Sequence, residues 1–141
     1  RSHCDWSSDV CSSDLKDTQA LEQASINIKG FKKLASQYNT RFVHIYTRSN
    51  DEFDVRTRMF APFDGMPEDP ATGSANCALG GLLTHYNDSS SGDFEWKIAQ
   101  GVEMGRPSYL KARTQKKSGE VTAAYIGGNC VMVSEGIIFV D

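Results

Sequence analysis

A proline-rich loop runs straight into a long apolar helix at the centre of this chain. Residues 59–75, MFAPFDGMPEDPATGSA, hold three of the four prolines, two adjacent carboxylates and a Thr-Gly-Ser that opens the helix. Pro67 and Pro70 fix their own φ and restrict the residues before them, so they set where Glu68 and Asp69 point. Thr72 or Ser74 can cap the helix, and Gly73 lets a ligand come close to the backbone. The unbonded N–H groups at such a helix start attract a carboxylate or a phosphate. An ordinary capped loop, with carboxylates that only stabilise the helix dipole, accounts for the same residues, and local physics leaves both readings open.

The helix itself predicts its surroundings. Ala75, Ala78, Leu79, Leu82, Leu83 and Tyr86 recur at helical spacing, and Asn76, Cys77, Gly80 and Gly81 line the other side. Each helical glycine costs about 1 kcal/mol relative to alanine. Close approach by a surrounding sheet would compensate, which predicts a central helix buried on most sides. Upstream, apolar residues from Leu21 to Tyr38 mark an amphipathic helix over residues 17–38, broken near Asn27 or Gly30 and ended by Asn39. Residues 41–48 and 53–60 read as paired strands across a turn at 49–52. Further strands are expected at 93–99, 108–114, 121–126, 129–133 and 137–140, the last two forming a hairpin around Ser134, Glu135 and Gly136. Short connections favour antiparallel pairing over crossovers, so the class is α+β: a mostly antiparallel, curved sheet wrapped around a buried helix.

Composition excludes several functions. A net charge of -3, with no basic run longer than a Lys-Lys pair, argues against nucleic acid or an anionic membrane as the main partner. No apolar stretch approaches the roughly 20 residues that span a bilayer. The four cysteines show no CxxC spacing, which argues against a zinc site or a disulfide scaffold and makes a reducing cytoplasm the default. Cys77 and Cys130 read as small buried thiols, His44 as a bonded sheet-face histidine, and His85 as a helix-end residue favoured by the dipole. Residues 1–15, RSHCDWSSDVCSSDL, have no periodicity, and residues 5–15 are similar to the in-frame translation of a DNA-sequencing adapter. They are expected to be non-native and disordered, with residues 16–141 carrying the domain and native sequence continuing upstream of Lys16.

Three motifs in order carry a family resemblance. Arg58, Phe60, Ala61 and Pro62 precede Gly65 and the run Glu68-Asp69-Pro70-Ala71-Thr72-Gly73-Ser74-Ala75. Gln100-Gly-Val-Glu-Met-Gly-Arg-Pro-Ser108 follows, and then Gly127-Gly-Asn-Cys-Val-Met-Val-Ser-Glu-Gly136. Together they resemble the PhzF-like phenazine-biosynthesis family, whose members are similar in fold to diaminopimelate epimerase, with two similar halves and the active site between them. The resemblance implies that residues 16–141 are the C-terminal half. It implies a cofactor- and metal-independent isomerase that moves a proton on a small carboxylate-bearing metabolite. Asp69 matches the family's acidic site residue, while Gly73, Ser74 and Ala75 match the part that holds substrate. Glu68, Thr72, Arg106 and Ser108 match supporting positions; Glu68 can fix the loop, and Arg106 with Ser108 can tie a turn to it. The main general base belongs to the other half, and family members commonly form homodimers.

Two alternatives remain. Epimerase relatives use two cysteines, the second in a Glu-x-x-x-Cys setting. Alignment on Glu68 puts Thr72 at that cysteine and Cys77 five residues later. A threonine hydroxyl is too weak an acid to exchange a carbon-bound proton, so one-base isomerisation is favoured over two-base racemisation. The other alternative is a non-catalytic protein that keeps only the small-anion site. A positioned general base contributes 10²–10⁴-fold, so the chain by itself is expected to be inactive. It is also expected to be poorly soluble, because it exposes the surface meant for its other half.

Overall fold

The computed structural model describes residues 2–4, 10–63 and 65–140. The described residues form one eight-stranded sheet in the order β1-β2-β3-β4-β6-β7-β8, with β5 also paired to β4. The strands are β1 (Ser2–Cys4), β2 (Val10–Asp14), β3 (Phe42–Arg48), β4 (Val55–Ala61), β5 (Met66–Asp69), β6 (Gly92–Gln100), β7 (Ser108–Lys117) and β8 (Glu120–Gly128). Helices α1 (Thr18–Gln23), α2 (Ile28–Tyr38) and α3 (Gly73–His85) complete the α+β class expected from the pattern. The break expected near Asn27 is a true cap: its side-chain oxygen accepts the N–H groups of Lys29 and Gly30 at 3.1 Å each. Asn39, at φ 50°, ends α2 in the left-handed region that asparagine tolerates.

β4 is buried on both faces, and its alternation sorts the molecule into layers. Val55, Thr57 and Met59 face α3, where Val55 packs with Leu79, Leu83, Ile98 and Ala112, and Met59 with Ala75. Arg58 and Phe60 face α1, where Phe60 joins Leu21 and Ile45. Full burial of each such leucine contributes roughly 1.5–3 kcal/mol. α3 crosses close to β7 at one glycine only. A Cβ at Gly80 would lie 2.7 Å from that of Ala112, whereas one at Gly81 would meet nothing within 4 Å. Close sheet approach therefore accounts for Gly80 and not for Gly81. α3 is also less enclosed than expected: Ala75, Asn76, Leu79, Gly80, Leu83 and Thr84 are buried, while Cys77, Ala78, Gly81 and Leu82 are only half-buried.

Pairing is mostly antiparallel, as expected, while β2 with β3 and β4 with β6 are parallel. Each parallel pair is joined through helices, α1 and α2 for the first and α3 for the second, which is how parallel neighbours are connected. Within the segment expected to be disordered, Ser2–Cys4 and Val10–Asp14 are strands, and Val10 is registered on Phe42 beside β3. Main-chain bonds hold this edge, continuing in the Leu15 N–H to Tyr46 carbonyl bond at 2.8 Å, so it makes little demand on side-chain identity. Finally, the strands expected at 129–133 and 137–140 do not form. Val131, Met132, Val133, Ile137, Ile138, Phe139 and Val140 are 83–89% exposed, and Cys130 is exposed rather than buried. Their residue types favour a strand, but a strand needs a partner edge, and no described strand pairs with them.

Candidate active site

The loop between β4 and α3 begins as a tight return. β5 folds back on β4, with Asp69 opposite Met59 and Glu68 opposite Phe60, and the register shifts at Phe60/Ala61. Gly65 takes φ 74°, which few other residues accept. Glu68 is fully engaged: its two oxygens take Nε and Nη2 of Arg58 at 2.9 Å each, with the side chains 12% and 10% exposed. The same guanidinium donates Nη1 to the carbonyls of Leu21 (2.9 Å) and Ala24 (2.8 Å) at the end of α1 and lies 4.9 Å from the Phe60 ring centroid. The Glu68 carboxylate raises the Arg58 pKa further above its usual value. Glu68 thus fixes the loop, as one of its sequence readings allowed, and is a poor candidate for proton transfer.

Asp69 sits half-buried at the other end of a polar network that sequence reading missed. Its Oδ2 accepts the Thr72 hydroxyl at 2.5 Å, and its Oδ1 accepts the Ala71 N–H at 3.4 Å. Gln100, at the end of β6 and fully buried, uses its whole amide. Nε2 donates to the Asp69 carbonyl (2.6 Å) and to Thr72 Oγ1 (3.0 Å), while Oε1 accepts Thr72 N–H (3.1 Å) and Asn76 Nδ2 (2.6 Å). Asn76 Nδ2 also donates to the Thr72 carbonyl at 2.8 Å, and Asn76 Oδ1 accepts the Thr57 hydroxyl at 3.3 Å. A saturated amide inside the protein costs nothing in unmet polarity and leaves the turn one conformation.

The start of α3 lies immediately beyond. Thr72 occupies the N-cap position without a side-chain capping bond, because its hydroxyl is turned to Asp69. The first ladder bond runs from Asn76 N–H to the Thr72 carbonyl at 3.2 Å, so the N–H groups of Gly73, Ser74 and Ala75 precede the ladder. Ser74 is exposed, Gly73 is half-buried against Ile126, and Ala75 is buried beside Met59. Asp69, Thr72, Gly73, Ser74 and Ala75 are thereby brought to one corner.

The loop after β6 braces this corner from behind. Gly101 takes φ 76°, and a Cβ there would collide with the Arg106 carbonyl oxygen and lie 2.9 Å from that of Pro70. Arg106 N–H closes the turn on the Gly101 carbonyl at 2.9 Å, while its residue is exposed. Ser108 begins β7 opposite Gln100. Both residues therefore meet the site through main-chain geometry. Glu103, in the same turn, is 7% exposed at its side chain, 3.9 Å from Arg56 Nη1, with both oxygens lacking a hydrogen bond.

Other candidates are less well placed to meet a ligand. His44 is fully buried on β3, opposite Met59, with neither ring nitrogen hydrogen-bonded; burial lowers its pKa to about 4. The expectation of a bonded sheet-face histidine is thus corrected in its bonding. Cys77 is half-buried, and burial pushes its thiol up, away from the thiolate. His85 lies exposed in the last turn of α3, and its carbonyl takes Lys116 Nζ at 2.9 Å. Among the described residues, no group of three His, Cys, Asp or Glu is placed to hold a metal ion, and no helix is long and apolar enough to cross a membrane.

The chain is 37% identical over 99 residues to an uncharacterized isomerase of Mesorhizobium japonicum, covering 69% of this chain and 33% of that protein. It is 40% identical over 83 residues to a trans-2,3-dihydro-3-hydroxyanthranilate isomerase of Pseudomonas chlororaphis, covering 59% and 30%. The crystal structure of a Bacillus anthracis phenazine biosynthesis protein of the PhzF family matches 84% of this chain and 42% of its own, at a TM-score of 0.72 and 21% identity, which supports the same fold. The chain spans about a third of the length of the curated relatives named here. A family model for phenazine biosynthesis-like proteins matches residues 10–136, and the chain belongs to that PhzC-PhzF family.

Proposed function

We propose that the full-length protein is a cofactor-independent isomerase that moves a proton on a small carboxylate-bearing metabolite, with residues 16–141 supplying one wall of its site. The observation that carries this reading is the tether of Asp69, through Thr72, to the first turn of α3, beside the N–H groups of Gly73, Ser74 and Ala75. A substrate carboxylate at that helix start gains roughly 0.3–1 kcal/mol, and up to about 2 when partly buried, which orients more than it binds. Asp69 then faces the bound metabolite as a hydrogen-bonding or proton-handling group. The Pseudomonas relatives, named for isomerisation of a dihydro-hydroxyanthranilate, support a proton shift on a substrate of this class. The main base comes from the other half of the fold. Glu68 is spent on Arg58, and His44 is fully buried behind Met59, with no exposed surface to meet a substrate.

A two-base racemase is disfavoured. Thr72 stands where the second cysteine would, and its hydroxyl proton is committed to Asp69. Cys77 lies a turn further into α3 with its thiol held protonated by burial. Without the opposing wall and base, the chain alone lacks the 10²–10⁴-fold contributed by acid–base catalysis and is inactive. Steady-state turnover of trans-2,3-dihydro-3-hydroxyanthranilate by the full-length protein tests the reading. Asp69→Asn should lower kcat by about 10²-fold or more, and Ser74→Ala should act mainly on KM. Wild-type kinetics in Asp69→Asn would remove Asp69 from the mechanism.

A further inference from the structure

We propose that Gln100 and Thr72 are positioning residues that decide which oxygen of Asp69 meets the substrate; the inference rests on the assignment of Asp69 to the active site. Its basis is the direction of the buried hydrogen-bond chain. Two main-chain groups set that direction, because a carbonyl can only accept and an N–H can only donate. The Thr72 carbonyl, 2.8 Å from the Asn76 amide, requires the nitrogen of Asn76 at that point. The Thr72 N–H, 3.1 Å from the Gln100 amide, requires the oxygen of Gln100 there. Both amides are therefore oriented by the backbone of one residue, and they agree: Asn76 Nδ2 also donates to Gln100 Oε1 at 2.6 Å.

The rest follows from counting protons. Gln100 Nε2 has two, one for the Asp69 carbonyl at 2.6 Å and one for Thr72 Oγ1 at 3.0 Å. Thr72 Oγ1 receives that proton, and its own single proton goes to Asp69 Oδ2 at 2.5 Å. Oδ2 is thus held as an acceptor. A proton placed on it would face the Thr72 hydroxyl proton, which could turn away only by giving up its one acceptor. Oδ1 has a single long bond, 3.4 Å from Ala71 N–H. Any proton that Asp69 gives or takes therefore passes through Oδ1, and the carboxylate plane is fixed by Thr72, which the fully buried Gln100 orients in turn. Gln100, Asn76 and Thr57 are all buried with no exposed surface, so water cannot replace a lost link.

Thr72→Val keeps the shape and removes the hydroxyl, Thr72→Ser keeps the hydroxyl, and Gln100→Leu removes the donor to Thr72. In the full-length protein with trans-2,3-dihydro-3-hydroxyanthranilate as probe, Thr72→Val should lower kcat by roughly 10- to 100-fold, with KM within about twofold of wild type. Thr72→Ser should recover kcat to within about threefold of wild type. Gln100→Leu should fall in the same kcat range, and the double variant Thr72→Val/Gln100→Leu should be no slower than the slower single, because both act along one path. If Gln100→Leu fails to fold, the Thr72 pair decides alone. A kcat for Thr72→Val near wild type, or a loss expressed only in KM, overturns the inference while Asp69→Asn stays slow. Full activity in Asp69→Asn instead overturns the assignment on which it rests.

Discussion

The contact between α3 and β7 predicts opposite outcomes for two neighbouring glycines. At Gly81 a Cβ meets nothing within 4 Å, so Gly81→Ala should gain most of the helix propensity difference, about 0.5–1 kcal/mol. At Gly80 the same substitution gains the same propensity, but its Cβ would stand 2.7 Å from Ala112 Cβ. Neither atom has a torsion with which to move aside, so relief needs the helix and strand to separate by roughly 1 Å. Inserting an extra carbon into a packed core costs typically 1–3 kcal/mol. Separation would also strain the Thr84–Thr114 bond, 2.5 Å long across the same interface. The helix contribution cancels between the two variants, so Gly80→Ala should be less stable than Gly81→Ala by about 1–3 kcal/mol. Urea unfolding with matched m-values measures this difference. Ala112→Gly in the Gly80→Ala background should recover at least about 1 kcal/mol beyond additivity. Equal midpoints for the two alanine variants would refute the packing argument.

Two further predictions follow from buried charge. Below pH 6.5 the unfolded chain takes up a proton at residue 44 that the folded chain refuses until about pH 4. Stability should therefore fall as pH drops through that window, by about 3 kcal/mol at full extent, and be flat above it. Urea titrations at several pH values should show this slope, and His44→Leu should abolish it; an unchanged slope would exonerate His44. Glu68→Gln leaves Arg58 charged and nearly buried with only neutral partners, the new amide and the Leu21 and Ala24 carbonyls, which should cost about 2–4 kcal/mol and lower the melting temperature by several degrees. A melting temperature equal to that of wild type would show that the pair does not hold the loop.

The long elements were legible because periodicity reports burial directly. The α1–α2 break at Asn27, the β3–β4 pair and the onset of α3 at Gly73 all follow from cap residues and alternation. What misled was the expectation that α3 is buried on most sides, its apolar row included. The buried face also carries Asn76, Gly80 and Thr84, a row at i, i+4 and i+8, because the facing strands present Thr57, Gln100 and Thr114 as polar partners. Ala78 and Leu82 are displaced to half-buried positions by this rotation. A polar residue on a helix signals the interior only when its partner is known, and Gln100 is 24 residues from Asn76. The parallel pairings were hidden for a related reason, since crossover connections are a property of topology and short loops suggest hairpins. Residues 129–140 show the converse: strand-forming side chains remain exposed where no edge receives them. The EDPATGSA run marked Asp69 and the helix start, whereas the network that orients Asp69 was visible only in three dimensions.

The most direct measurement of the central claim is solvent deuterium incorporation, followed by NMR, when the full-length protein turns over trans-2,3-dihydro-3-hydroxyanthranilate in heavy water. The account predicts deuterium at a single carbon of the product, a rate lower by about 10²-fold or more in Asp69→Asn, and no incorporation by residues 16–141 alone. Incorporation at the wild-type rate in Asp69→Asn, or exchange at an amino-acid Cα that disappears in Cys77→Ala, would contradict it.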